Sequence, residues 1–168
     1  MTDVQPFRPR ELALTVGAPA LIGVLIAMGF GLEAIVASAA QLPLVLIGVV
    51  LIMTPALYIC ASLSGQPLTT RRMAEAARTY LVRSSLVLLG LAPALLFLNV
   101  SAQDHSVIQL TAPFALRIAM FIGAVTMLPI VFGENAGAKG RFLFIAWALV
   151  GLGIAESLYS NLFEGCCR

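Results

Sequence analysis

LVLIGVVLIMTPALYICASL, residues 44 to 63, is twenty residues long and carries no charge. At about 1.5 Å of rise per residue, a helix of that length spans about 30 Å, the thickness of the hydrocarbon core of a bilayer. Pro55 interrupts the run midway. It removes one helical hydrogen bond and frees the Leu51 carbonyl, which neighbouring helices or hydroxyls must satisfy where water is absent. The rest of the chain is of the same kind: 60% of its 168 residues are hydrophobic and 11% are charged, with a mean hydropathy of +0.99. A soluble domain is about a quarter charged, so this chain has too little polar surface to cover itself in water. The fold class expected is all-α, a polytopic integral membrane bundle. The net charge of +2 is small, and the basic residues do not cluster with aromatics, which excludes a nucleic-acid surface.

Five stretches are long and apolar enough to cross, near 13–32, 44–63, 83–100, 112–132 and 142–160. The first follows Arg8 and Arg10, with small residues at 37–40, yet its apolar run exceeds the about 7 to 15 residues of a signal-peptide core, so it is expected to be retained. Lysine and arginine accumulate in cytoplasmic loops. With the N-terminus inside, Arg8, Arg10, Arg71, Arg72, Arg78, Arg83, Lys139 and Arg141 are cytoplasmic, which leaves Arg117 and Arg168 outside, eight against two. The expected topology is five spans, N-terminus cytoplasmic and C-terminus outside.

Residues 1–11 form a short cytoplasmic lead and 162–168 a short outer tail, with one transmembrane domain, 12–161, between them. Residues 32–43, with Glu33, Ser38 and Gln41, read as a short interfacial helix or turn. After the break at Gly65-Gln66-Pro67, Thr69 or Thr70 caps a basic helix over about 69–82 that leads into the third span. Arg71, Arg72 and Arg78 on that helix, and Arg83 just after it, are candidate contacts for lipid headgroups or a partner. The turn GENAGAKG, 133–140, lacks the Gly-Lys-Ser/Thr ending of a phosphate loop.

Lipid tails are as apolar as leucine, so membrane helices associate through small residues and interhelical hydrogen bonds. Gly23, Ala27 and Gly31, then Ala115, Ala119 and Gly123, then Ala148, Gly151 and Ala155 form stripes that suggest inner faces. Arg117 and Glu156 lie inside the fourth and fifth spans at matching depth below the outer end, so an ion pair is expected between them. Pro55 and Pro93 fall midway along spans two and three and are expected to be matched kinks where those helices touch.

Little in the chain carries chemistry. His105, in SAQDHS, is the single histidine and reads as a loop residue; Cys60 reads as a small apolar residue; Cys166 and Cys167 are too close to bridge each other without strain. No Ser-His-Asp, paired-carboxylate or Cys-x-x-Cys arrangement occurs, so neither an enzyme nor a cofactor or metal is expected.

LPLVLIGVVLIMTPALYICASLSG, the basic helix after it and SLVLLGLAPALLFLNVS, about 42–110, resemble a group of bacterial five-span membrane proteins of the Yip-like superfamily. The shared features are Pro43, Pro55 with Leu57-Tyr58, Gly65 and Ala92-Pro93, while an Asp-Leu-Tyr-Gly-Pro type motif is lacking. The resemblance implies five spans and a cytoplasmic N-terminus. Eukaryotic members act in membrane trafficking with small GTPases, but no residues here match a partner site. The resulting expectation is a non-enzymatic protein of a bacterial inner membrane, acting as scaffold, accessory subunit or membrane-organisation factor. Its partners would be membrane lipids and another membrane subunit or a second copy. The alternative is a small channel or transporter with a path near Pro55, Pro93, Arg117 and Glu156.

Overall fold

The computed structural model of the protein describes residues 9–28, 31–65, 68–101, 105–133 and 137–164, the side chains of 105–110, 112 and 162–164 apart. Arg8, Gln66, Pro67, Asp104, Glu134, Cys166, Cys167 and Arg168 lie outside the described residues, as does the His105 side chain. Five helices account for nearly all of the described chain: α1 (Pro9–Ala27), α2 (Leu32–Leu63), α3 (Thr70–Ser101), α4 (His105–Phe132) and α5 (Ala138–Glu164). All five are long and apolar enough to cross a membrane, and no strand occurs among the described residues. The protein is an integral membrane helical bundle.

Several boundaries differ from the sequence reading. α1 starts at Pro9, the first helical position that proline's fixed φ suits, so residues 9–11 are helix and not a loose lead. The stretch 32–43 is not a separate connector but the first three turns of α2, which runs without interruption through Pro43 and Pro55. Helix persists there because Ser38, Leu42 and Pro43 are buried, with the Ser38 backbone pressed against α1. The basic segment after Thr69 is continuous with α3, and the Thr69 hydroxyl accepts the Arg72 N–H at 3.4 Å. His105 begins α4 and does not lie in a loop. Gly65 and Gly133, each just past a helix end, have φ of +82° and +68°, values that L side chains rarely adopt.

Short connections make consecutive helices alternate in direction, so α1, α3 and α5 start at one end of the bundle. That end carries Arg71, Arg72, Lys139 and Arg141. α1 packs on α2 and α3, α3 packs on α4, and α2 packs on α5, while α4 meets α5 less extensively and closes a ring. α2 and α3, consecutive in sequence, are largely kept apart by α1. The parallel helices α1 and α3 are clipped twice. The Arg78 guanidinium donates to both Glu11 carboxylate oxygens, at 2.8 and 2.6 Å, and the Asn99 amide donates to the Leu25 carbonyl.

Two glycines set the closest approaches. A Cβ on Gly23 would overlap the Ser38 carbonyl of α2, and one on Gly123 would overlap the Ser84 hydroxyl and lie 3.1 Å from the Tyr80 carbonyl oxygen of α3. Gly31 falls outside the α1 stripe, in the turn before α2. The other stripes do face inward: Ala115, Ala119, Gly123, Gly151 and Ala155 are buried and Ala148 is half-buried. Gly123→Leu is expected to destabilise the bundle by about 1–3 kcal/mol through overpacking. Gly153→Leu, at a position with nothing within 4 Å, should leave stability unchanged. Thermal loss of helical circular dichroism in detergent, compared between the two variants, checks this.

Candidate functional site

Two features of the bundle lie between α4 and α5. Near one end the Arg117 guanidinium pairs with the Glu156 carboxylate and lies 5.3 Å from the Phe114 ring centroid. Arg117 is four residues in from Pro113 and Glu156 five in from Asn161, the ends of their apolar segments, or about 6 and 8 Å inside the apolar band. The pair does not point into the bundle: its side chains are 37% and 58% exposed, on the outer surface. Charge at that depth is costly in lipid, and the pairing together with the aromatic face offsets part of the cost.

At the opposite end of these helices Phe132 meets Phe144 edge to face, with ring centroids 5.9 Å apart, and the Phe132 ring lies within 3.1 Å of where a Gly140 Cβ would be. Between the two contacts lies a cleft of about 530 Å³, its open mouth included, walled by α2, α3, α4 and α5. Its lining is apolar and includes Met53, Met73, Met120 and Met127, four of the six methionines of the chain. Methionine is unbranched and adapts to irregular apolar shapes. The single tryptophan, Trp147, also lines the cleft. It stacks on Phe144 at 5.5 Å and donates its indole N–H to the Met53 carbonyl at 3.0 Å. That carbonyl lies two residues before Pro55, where α2 has lost a backbone hydrogen bond, so α5 braces the weakened turn. An indole N–H in an apolar span requires an acceptor, a signal the sequence reading did not use.

The basic end is divided in its roles. Arg78 is engaged with Glu11, so it is not a free lipid or partner contact as expected from sequence; the parallel course of α1 and α3 brings the two together. Arg71, Arg72, Arg83, Lys139 and Arg141 face outward and form no ion pair among the described residues.

Pro55 and Pro93 both lie on outward-facing positions of helices that touch little. The expectation that α2 and α3 bend against each other at the two prolines is corrected accordingly, because α1 occupies the space between those helices. The hydroxyls at mid-depth form no continuous polar file. Thr54 donates to the Val50 carbonyl and Thr126 to the Gly123 carbonyl, each on its own helix, while Tyr58 faces outward. Ser84 and Ser85 are wholly buried where α3 packs. Cys60 is half-buried, and no group of three His, Cys, Asp or Glu able to hold a metal occurs among the described residues.

Reversal of the intramembrane pair tests its role in holding α4 to α5. Arg117→Glu and Glu156→Arg should each lower the yield of monodisperse protein, because each sets like charges together in the apolar band. The double swap should restore that yield, measured by fluorescence-detected size exclusion. The chain matches no protein-family model, no curated protein and no solved structure.

Proposed function

We propose that the protein is a non-enzymatic accessory subunit of a bacterial inner membrane, its N-terminus cytoplasmic, which works by binding a transmembrane helix of another membrane protein along α5. The observation that carries this reading is the outward-facing Arg117–Glu156 pair inside the apolar band. A partner helix with a polar group at that level would cover charge that lipid covers poorly. Glu156 also belongs to a stripe along α5. Phe142, Ala146, Leu149, Gly153, Glu156 and Ser160 recur at three- and four-residue spacing, and all face outward. The stripe is about 27 Å long, enough for the full depth of the hydrocarbon. Its small residues at 146 and 153 allow a second backbone to approach closely. α5 is also the least enclosed helix, with 17% of its apolar window buried against 44% for α1 and α4.

The scaffold and Yip-like readings share this need for a membrane partner; the likeness to Yip-like proteins rests on residues 42–110 and adds topology alone. A channel or transporter has less support, since Thr54 and Thr126 at mid-depth bond within their own helices and Pro55 and Pro93 face outward.

A photoreactive residue placed at Leu149 in cells should give one protein adduct at near-stoichiometric yield, whereas the same residue at Leu89, outward-facing on α3, should give none. Gly153→Trp should abolish the adduct at Leu149. Absence of any adduct there, or equal adducts at both positions, would overturn the accessory-subunit reading, and an adduct to a differently tagged copy of this chain would replace it with self-association.

A further inference from the structure

The cleft between α2, α3, α4 and α5 lies on the face of α5 turned away from most of the partner stripe, which it meets only at Glu156. α1 closes the side between α2 and α3; the side between α4 and α5 is held at its two ends by Arg117–Glu156 and by Phe132, Phe144 and Gly140, and is open between them. Phe121, 56% exposed, stands at the rim of this opening. The lining runs from Met73 to Tyr80 on α3, Met120 to Met127 on α4 and Val49 to Leu57 on α2, so the cleft extends about 10 to 12 Å along the helix axes. It is a slot parallel to the bundle axis and occupies the half of the bundle nearest the basic end.

At that end Arg141 is in register with it, and Arg72 lies at the level where its α3 wall begins. Arg141, Phe144 and Ala148 follow one another on one face of α5, three and four residues apart, and Ala148 lines the slot. Arg72 immediately precedes Met73, the slot-lining residue nearest the start of α3. Both arginines are near the starts of their helices. Side chains lean toward a helix N-terminus, so both guanidinium groups lean away from the apolar slot and toward headgroup level. Neither has an acidic partner among the described residues.

We propose that the slot binds one acyl chain of an anionic phospholipid, whose phosphate is held by Arg72 and Arg141. An apolar lining, a lateral opening and two cations that form no ion pair among the described residues match the headgroup-proximal part of an acyl chain with a negative headgroup. A neutral apolar molecule would leave the cations unused, and a free anion would leave the slot empty.

Trp147 supplies the readout, since it is the single tryptophan and lines the slot. The full chain is reconstituted into phosphatidylcholine vesicles containing equal mole fractions of either phosphatidylglycerol or phosphatidylcholine brominated midway along the acyl chain. Brominated phosphatidylglycerol should quench Trp147 at about a fivefold lower mole fraction, the preference that one basic contact confers. Arg72→Gln with Arg141→Gln should erase the preference, and lysine at both positions should retain it. Ala148→Phe, which fills the slot, should reduce quenching by both lipids; Ala77→Phe on the α3 wall serves the same purpose if the first variant does not fold. Equal quenching of the unaltered protein by the two lipids overturns the proposal, and so does a preference that survives the arginine substitutions or the filling of the slot.

Discussion

Gly123 against Ser84 and Tyr80, and Gly23 against Ser38, are the contacts on which the arrangement of the other helices depends. In water, burial of leucine would draw five apolar helices together; in lipid it does not, because the tails are as apolar as the side chains. What remains is dispersion, which falls steeply with separation and therefore rewards backbones that come close. Missing side chains at 23 and 123 allow α2 to settle on α1 and α4 to settle on α3. The two resulting pairs are then joined by α1 against α3 and by α2 against α5. The open side of the ring, α4 against α5, has no comparable glycine contact with a backbone and is closed only at its ends.

That asymmetry accounts for where polar groups can be placed. The Glu11–Arg78 pair and the Asn99 amide clip the tightly packed side, tying α1 to α3 at both levels. The Arg117–Glu156 pair bridges the loosely packed side and faces outward, where another protein can reach it. The slot is the space left where α5 meets α4 less closely than the tight pairs meet, and Ala77, Ala124, Ala148 and Gly151 are too small to fill it. Its methionines and Trp147 border that space without closing it. The indole bond to Met53 then gives α2 a partner next to the turn that Pro55 weakens.

The matched depth of Arg117 and Glu156 was legible because depth follows from counting residues along a rigid rod. Their facing outward was not legible, since it depends on the rotation of two helices about their own axes. The inner faces at Ala119, Gly123 and Gly151 could be read because small residues mark close approach. The Glu11–Arg78 pair is not legible, because residues 1–11 read as a short cytoplasmic lead and 67 residues separate the two partners. The outward-facing Pro55 and Pro93 carry no sequence mark that distinguishes them from prolines packed inside.

Sequence by itself determined that this protein lives in a membrane, crosses it with five helices and carries its basic residues mainly at one end, because hydropathy and length are properties of each segment alone. Tertiary structure decided which helices are neighbours, with α1 between α2 and α3 and α5 on α2. It also decided that a slot opens between α4 and α5 and that the Arg117–Glu156 pair lies on the outside. Every apolar span is equally compatible with every other by transfer energy, so the choice among neighbours rests on shape at a few glycines and on which polar groups come within reach once those glycines are packed.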